Sequence, residues 1–311
     1  MTTVAAIDCG TNAIRLLIAE VQPGQPPRTL LRAMHIVRLG EGVDSTGEFK
    51  AEAVERTMSA VDDFAIQLRT FRVQQLRFVA TSASRDVRDP SPLIDGALQR
   101  LGVRPEVIPA AEEARLSYAG AVDGLQAHVV LQHPVVVDIG GGSTEFVTHR
   151  DGALRSISID VGCVRLAERH LRSNPATFAE VSAIRVDVRA LMPTVRATIP
   201  AVEGGVVIGV AGTVTTVAAM AMGLDRYDEE RIHGARVGFD EAVQVAEALT
   251  AMTRDERAAL PYMHPGRVDV ITSGAWVLVE ALAGMGAGAV IASETDLLDG
   301  IVAELGRSAA T

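Results

Sequence analysis

Two glycine-containing stretches decide how this sequence folds: Asp8-Cys9-Gly10-Thr11-Asn12-Ala13-Ile14-Arg15 and Asp138-Ile139-Gly140-Gly141-Gly142-Ser143-Thr144-Glu145. Each follows an apolar run, Val4 to Ile7 in the first case and Val135 to Val137 in the second, and each is followed by further apolar residues. Such runs are typical of buried β-strands. The sequence therefore predicts the same unit twice: a strand, a polar turn that begins with Asp-x-Gly, and a second strand.

Both turns have a composition suited to binding an anion. Glycine permits positive φ and a close approach of the backbone, so N–H groups and the hydroxyls of Thr11, Ser143 and Thr144 can surround a phosphate group. Asp8 and Asp138 lie at the strand ends, where a carboxylate can hold a metal ion or orient a water molecule. One such turn is common and often only structural. Two turns in the same strand context are more specific, and they resemble the phosphate loops of the acetate kinase, sugar kinase, heat-shock ATPase and actin superfamily.

The composition is that of a globular protein large enough for two domains. The chain has 311 residues, 48% of them hydrophobic, and its net charge of −10 argues against a nucleic-acid partner. Cys9 and Cys163 are too far apart in sequence to indicate a disulfide framework or zinc cluster, and Cys9 is interpreted as an inert core residue. The N-terminus has no signal-peptide pattern, which predicts cytoplasmic localisation. The uncharged stretch Val206 to Gly223 is interpreted as a strand, a turn and a buried helix, with no membrane partner.

The order of the predicted elements also repeats along the chain. We predict that three consecutive strands open each half, and that the third strand of the first half runs from Thr29 to Leu39. Helices and strands follow in each half, and one predicted helix of the second half runs from Phe178 to Met192. We predict an α/β fold with two ribonuclease-H-like domains of the actin-like ATPase type, residues 1–125 and 126–311, and a cleft between them. In one alternative the last helix, from about Leu297, packs back on the first domain.

Three other segments could carry chemistry. Ala80 to Arg88 follows a strand and opens a helix, where hydroxyls and N–H groups favour an anion, although a simple helix cap is the competing interpretation. Glu112 and Glu113 begin the helix before the predicted domain crossing; such carboxylates usually only complement the helix dipole, but one placed there could take a proton from an attacking water. Gly209 to Thr213 is either a phosphate or nucleoside contact or a tight strand-to-helix turn.

Taken together, these segments resemble the exopolyphosphatase/guanosine-pentaphosphate phosphatase (Ppx/GppA) family in its short two-domain form. The resemblance covers essentially the whole chain. It rests on the Asp8-to-Arg15 loop, Ala80-Thr81 with Arg85, Glu112 to Leu116, Asp138 to Glu145, Gly162 to Leu166, Ala211 to Thr213, and Arg267 to Asp269. Two departures are Pro109-Ala110 in place of the family's Ser-Gly and Ala13 in place of a frequent serine.

The resemblance implies roles for particular residues. Glu113 matches the catalytic glutamate, and Asp138 and Glu145 match other essential acids. Mg²⁺ is the implied cofactor, with Asp8, Asp138 and Glu145 as its ligands. The implied substrate-phosphate contacts are Gly10, Thr11, Asn12, Arg15, Arg85, Gly141, Gly142, Ser143, Gly212 and Thr213.

The function implied is that of an exopolyphosphatase, which releases orthophosphate from the end of inorganic polyphosphate. The alternative within the family is hydrolysis of the 5′ phosphate of guanosine pentaphosphate, with guanosine penta- or tetraphosphate as partner; a nucleoside-sized pocket near Gly212 would favour it. A kinase and a non-catalytic sensor of polyphosphate or alarmone are the competing classes. Substrate preference and a homodimeric state stay open.

Overall fold

The computed structural model describes residues 1–125 and 132–308. The first strands and helices are β1 (Thr2–Cys9), β2 (Ala13–Val21), β3 (Arg28–Ile36), α1 (Val43–Thr46), α2 (Ala51–Thr70), β4 (Gln75–Ala80), α3 (Ser82–Asp86), α4 (Ser91–Leu101), β5 (Glu106–Val107) and α5 (Ala110–Leu125). The later ones are β6 (Val135–Ile139), β7 (Thr144–Arg150), β8 (Ala153–Ile159), α6 (Cys163–His170), α7 (Phe178–Thr198), β9 (Val206–Val210), α8 (Ala211–Ala221), α9 (Glu229–Ile232), β10 (Arg236–Gly238), α10 (Phe239–Ala251), α11 (Arg254–Ala258), α12 (Ile271–Met285), β11 (Ala289–Ala292) and α13 (Leu297–Ser308).

The chain divides into two compact units, one made of residues 1–120 with α13 and the other of residues 121–296. The sequence placed a domain boundary between residues 125 and 126, and residue 126 lies outside the described residues. The structure divides the chain five residues earlier, inside α5, and assigns the C-terminal helix to the first unit.

The first unit is built on a sheet of order β3-β2-β1-β4-β5, in which β1 pairs antiparallel with β2 and parallel with β4. Both faces of β1 are buried. Ala5 and Ile7 belong to one apolar cluster with residues of α2 and α4, whereas Val4 and Ala6 belong to a second cluster with residues of α13. Because alternate residues of a strand point to opposite faces, α13 covers the face that α2 and α4 leave open.

The second unit repeats this arrangement. Its sheet has the order β8-β7-β6-β9-β11, with parallel pairs β6–β9 and β9–β11, and the short antiparallel strand β10 is added at the edge. Two sheets with the same strand order, each opened by a three-strand meander, confirm the predicted duplication and the α/β fold class.

Two predicted bounds were wrong. The third strand ends at Ile36 rather than Leu39, because the N–H groups of Val37 and Arg38 both turn to the carbonyl oxygen of Asn12 and Arg38 adopts a left-handed φ of 50°. Helix α7 continues past Pro193 to Thr198. Its apolar face also continues, with buried Met192 and Val195, and this packing outweighs the hydrogen bond that proline removes.

The uncharged stretch Val206 to Gly223 forms β9, a turn and α8. Within the part of the chain that the structure describes, no helix combines the length and the apolar character that a membrane crossing requires.

Candidate active site

The first glycine turn holds an ion pair at its base. Asp8 on β1 and Arg15 on β2 are direct cross-strand partners, and Nε and Nη2 of Arg15 donate to Oδ2 of Asp8 at 3.1 and 2.5 Å. The turn closes above them through the N–H of Gly10, which donates to the carbonyl oxygen of Ala13 at 2.9 Å. Only 4% of Asp8 is exposed, so its charge needs this partner. Arg15 therefore stabilises the turn as well as bringing a positive charge to it.

A second segment supports the same turn from outside. The N–H of Gly40 donates to the carbonyl oxygen of Thr11 at 2.8 Å. A Cβ atom on Gly40 would lie 2.3 Å from Cγ2 of Thr11, so only glycine allows this approach. The side-chain oxygens of Thr11 and Ser82 are 2.8 Å apart. Since each hydroxyl has one proton, one of the pair donates to the other, and the second proton can still be given to an anion.

The structure brings Arg85 and Glu113 together, although the sequence suggested separate roles for them. Nη1 of Arg85, on α3, donates to Oε2 of Glu113 at 2.7 Å and to the carbonyl oxygen of Ile108 at 3.0 Å. Glu113 lies in the first turn of α5 and is only 9% exposed. The departure at Pro109 does not disturb this turn, since its carbonyl oxygen accepts the N–H groups of Glu112 and Glu113.

The neighbouring Glu112 is held in a different way. Arg115 donates to both of its carboxylate oxygens at 2.8 Å, and Arg77 approaches at 3.3 Å. Both arginines also contact Glu304 of α13, at 2.6 and 3.0 Å. Hydrogen bonds from Arg115 are the largest cause of a pKa of Glu112 below its ordinary value. Glu112 thus links α5 to α13, whereas the hydrogen bond from Arg85 ties Glu113 to α3.

In the second unit, the start of α6 holds the glycine turn through its carbonyl groups. The N–H of Cys163 donates to the carbonyl of Gly140, those of Val164 and Arg165 donate to the carbonyl of Gly141, and Nε of Arg165 donates to the carbonyl of Gly142 at 2.7 Å. The N–H groups of Gly141 and Gly142 have no hydrogen-bond acceptor among residues 1–125 and 132–308. They are therefore the groups of this turn that can bind an anion.

The glycines of the two turns do not have the positive φ angles that the sequence analysis associated with them. Among the described residues, the glycines with positive φ lie elsewhere, and Gly10 and Gly140 to Gly142 are not among them. The close backbone approach is provided by Gly162, where a Cβ atom would lie 2.4 Å from the carbonyl carbon and oxygen of Gly141. The absence of a side chain at Gly162 lets α6 begin directly against the turn.

The serine and threonine hydroxyls of this turn have internal acceptors. Ser143 donates its proton to Oε1 of Glu145 at 2.7 Å, and Thr144 donates to the carbonyl oxygen of Val161 at 2.6 Å. A hydroxyl has only one proton to donate. In this arrangement the protons of both hydroxyls are directed at acceptors within the protein, and the N–H groups of Gly141 and Gly142 are the donors without an acceptor among the described residues. Phosphate contact by Ser143 stays a prediction.

Asp138 and Glu145 lie side by side at the base of this turn. They are cross-strand partners on β6 and β7, 9% and 1% exposed. Oε1 of Glu145 also accepts a hydrogen bond from Ser158 of β8 at 2.7 Å. The same position of the duplicated fold therefore carries a carboxylate and an arginine in the first unit and two carboxylates in the second.

Gly212 and Thr213 lie in the first turn of α8, where the preceding Ala211 has a left-handed φ of 70°. A Cβ atom on Gly212 would lie 2.5 Å from Nε of Arg267, so the guanidinium group packs directly on this glycine. Arg267 also donates to Thr216 at 3.0 Å and lies 5.7 Å from the ring centre of Tyr227. The surface beside Gly212 is thus occupied by an arginine side chain.

Comparison with known proteins agrees with this arrangement. Residues 17–308 match the model of the Ppx/GppA phosphatase family. The chain belongs to this family. It is 45% identical over 320 residues to exopolyphosphatase 2 of Mycobacterium tuberculosis, covering 98% of this chain and 99% of the relative. The crystal structure of an exopolyphosphatase-like protein superposes with a TM-score of 0.94 at 40% identity, covering 100% of this chain and 99% of that one. The Aquifex aeolicus member of the Ppx/GppA family superposes with a TM-score of 0.82 at 25% identity, again covering 100% and 99%. The family and fold class predicted from the sequence are confirmed.

The second unit supplies two carboxylates of the kind that Mg²⁺ binds. Mg²⁺ is usually bound through one or two carboxylates together with water and substrate phosphates, and Asp138 with Glu145 supplies such a pair. Oδ2 of Asp8 is already bonded to Arg15. Within the described part of the chain, no group of three or more acidic, histidine or cysteine side chains is arranged so that it could hold a metal ion. The assignment of Mg²⁺ to Asp8, Asp138 and Glu145 stays a prediction.

Neither cysteine of this family member is suited to nucleophilic chemistry. Cys9 and Cys163 are free thiols buried next to the two turns. Burial raises the pKa of Cys9, with a further contribution from the Asp8 charge, and raises that of Cys163 to about 11. Since the thiolate is the reactive form, both residues act as small core side chains, as expected for Cys9.

A carboxyl group near Arg267 gives a testable pH dependence. Burial, more than any other cause, raises the pKa of Glu294 to about 7, and its Oε1 accepts the Tyr227 hydroxyl at 2.7 Å. The folded protein therefore binds this proton more tightly than the unfolded chain does, and its stability falls as pH rises from about 4.5 to about 7. A Glu294→Gln variant stays neutral. We expect its free energy of unfolding in urea to exceed that of the wild type by up to about 3 kcal/mol at pH 8, with the difference vanishing near pH 4. Equal stabilities at pH 8 would contradict the raised pKa.

Proposed function

We propose that this protein is an exopolyphosphatase, which hydrolyses the terminal phosphoanhydride bond of inorganic polyphosphate and releases orthophosphate. The observation that carries the proposal is the contact between Glu113 and Arg85. Nη1 of Arg85 donates to Oε2 of the largely buried Glu113 at 2.7 Å, in a chain that belongs to a family of phosphatases. The relative with 45% identity over almost the whole chain is named exopolyphosphatase 2 and supports the same substrate.

In the proposed reaction, Glu113 is the general base. A water oxygen forms a bond to the terminal phosphorus while the phosphoanhydride bond breaks, Glu113 accepts the proton of the water, and the shortened polyphosphate leaves. Before the reaction, the hydrogen bond from the charged guanidinium of Arg85 holds the Glu113 side chain in place. A phosphoryl oxygen that approaches Arg85 would compete for the same guanidinium group, and this would bring the substrate to the carboxylate that activates its water.

The remaining donors bind the charge of the substrate. We assign this role to the N–H groups of Gly141 and Gly142, to the second proton of the Thr11–Ser82 pair, and to Arg15. Fixed donors of this kind stabilise the charge that develops on the transferred group. With a net charge of −10, the protein depends on such local donors to hold a polyanion.

Asp138 and Glu145 would hold the Mg²⁺ ion. When bound, the ion would neutralise phosphate charge and so lower the barrier to attack by water. The two carboxylates come from adjacent strands of one sheet, which fixes the spacing of their backbones.

Two alternatives are less well supported. Hydrolysis of guanosine pentaphosphate calls for room for a nucleoside near Gly212, and the guanidinium of Arg267 packs on that glycine. A non-catalytic sensor would not need a buried general base, whereas Glu113 is kept and the nearby Pro109-Ala110 departure leaves its helical turn intact. Polyphosphate hydrolysis is the function that these contacts favour.

The test is a phosphate-release assay on the purified protein. Short-chain polyphosphate, long-chain polyphosphate and guanosine pentaphosphate are compared at equal concentrations of chain ends, with Mg²⁺ and with EDTA. We expect release from polyphosphate with Mg²⁺, little release with EDTA, and slower release from guanosine pentaphosphate. Faster turnover of the nucleotide would favour the alternative substrate, and binding of polyphosphate without release would favour the sensor.

A further inference from the structure

A row of three polar side chains crosses the second sheet beneath its glycine turn. Asp138 of β6 pairs with Glu145 of β7, and Glu145 pairs with Ser158 of β8. Residues that are direct cross-strand partners have their side chains on the same face of the sheet, close enough to interact. Ser158 is thus the third member of the row that contains Asp138 and Glu145, the two acids to which the proposed function assigns Mg²⁺.

The two serines bind the same oxygen of Glu145. Ser143 and Ser158 each donate to Oε1 at 2.7 Å, one from the adjacent turn and the other from the next strand. Glu145 is 1% exposed and lies beside a second carboxylate, so its burial is unfavourable unless hydrogen bonds compensate it. Hydroxyl donors compensate it without adding a positive charge, and they fix the plane of the carboxylate from two sides.

The first unit provides an internal comparison, because the fold is duplicated. The equivalent row there consists of Asp8, Arg15 and Met34, on β1, β2 and β3. The carboxylate in that row is bound by the arginine beside it, and the third position is a methionine, which has no proton to donate. The second unit has a carboxylate where the first has an arginine, and it has a hydroxyl donor where the first has a thioether.

We propose that Ser158 is a positioning residue, which acts on the reaction by holding Glu145 in the orientation that the active site requires. The inference rests on the proposed function, in which Glu145 serves the phosphoryl centre together with Asp138. Two donors that reach one oxygen from different elements restrict the rotation of the carboxylate more than one donor does. Groups that orient a ligand or catalytic side chain typically contribute 10- to 100-fold to affinity or activity.

The test compares Ser158→Ala, Ser158→Thr and Ser156→Ala. Ser158→Thr keeps the hydroxyl on a residue type that strands accommodate well. Ser156 is the matched control, because it is a partly buried serine on the same strand whose cross-strand partner is Val147. For each variant we would measure kcat and KM for polyphosphate, polyphosphate affinity in EDTA, urea unfolding, and Mg²⁺ binding by calorimetry without substrate.

We expect Ser158→Ala to lower kcat about 10- to 100-fold and to weaken Mg²⁺ binding several-fold, with polyphosphate affinity in EDTA unchanged. Ser158→Thr should restore most of kcat, and Ser156→Ala should behave as wild type. A wild-type kcat in Ser158→Ala would overturn the proposal. So would a loss of kcat in Ser156→Ala equal to that in Ser158→Ala, or a kcat of Ser158→Thr as low as that of Ser158→Ala. If the wild-type protein releases no phosphate from polyphosphate, the proposed function fails instead. In that case the Mg²⁺ titration tests the role of Ser158. An unchanged Mg²⁺ affinity in Ser158→Ala would refute that role.

Discussion

Replacing Glu113 by glutamine is expected to lower kcat for polyphosphate hydrolysis by at least about 10²-fold, which is the usual range for loss of a general base. Glutamine keeps the size of the side chain and its hydrogen bond from Arg85, but it cannot accept a proton from water. KM and polyphosphate affinity should change much less than kcat, since the proposed phosphate-binding donors are other groups. The measurement is steady-state phosphate release, combined with equilibrium binding of polyphosphate in EDTA.

The neighbouring residue supplies a matched control. Glu112→Gln removes a carboxylate of the same helix turn, but one that Arg115 and Arg77 bind on both oxygens. We expect kcat close to that of the wild type and a loss of about 1 kcal/mol in stability, the magnitude of a partly exposed ion-pair network. Near-normal hydrolysis by Glu113→Gln, or an equal loss of kcat in Glu112→Gln, would show that Glu113 is not the base.

The contrast between these two glutamates shows what the sequence could and could not supply. Adjacent carboxylates at a helix start look alike in a sequence, and only the resemblance to the family singled out Glu113 as the candidate base, which stays a prediction. The physical difference depends on Arg77 of β4 and Glu304 of α13, which contact this helix only in the folded unit. No local pattern around residue 112 could have indicated these partners.

The two glycine turns were predictable because their signal is local. The apolar run, Asp-x-Gly and the small polar residues occur within 12 consecutive positions from Val4 to Arg15 and within 11 from Val135 to Glu145, and the strand and turn propensities agree. Ser158 was missed for the opposite reason. Its partnership with Glu145 follows from the register of β7 and β8, which brings together residues 13 positions apart. A serine near the end of a strand is otherwise unremarkable.

The ends of β3 and α7 were also predicted wrongly because of contacts that are distant in sequence. Leu39 belongs to an apolar run that is compatible with a strand, but the backbone of Val37 and Arg38 instead bonds to the first glycine turn. Pro193 is a local signal for a helix end, and the buried face of α7 overrides it. In both cases a contact distant in sequence outweighed a local preference.

The second large effect is expected at Gly162, where α6 begins against the second glycine turn. A Gly162→Ala variant would place Cβ 2.4 Å from the carbonyl carbon and oxygen of Gly141 and 2.6 Å from the nitrogen of Gly142. These are backbone atoms, so the clash cannot be relieved by rotating a side chain. We expect the turn to move and its N–H groups to lose their alignment with the substrate. A displacement of about 1 Å can cost 10²-fold in rate, and overpacking of this kind typically costs about 1–3 kcal/mol in stability.

Gly284→Ala separates the two effects. Its Cβ would lie 2.5 Å from Cγ of Met192, so it also overpacks the second unit, but against a flexible side chain on α7. Both variants should be less stable than the wild type in urea. Only Gly162→Ala should lose kcat/KM for polyphosphate when both are assayed under conditions where the proteins are fully folded. Wild-type kcat/KM in a folded Gly162→Ala protein would mean that the Gly140–Ser143 turn does not contact the substrate, and the phosphate-binding role would then have to be carried by the first unit alone.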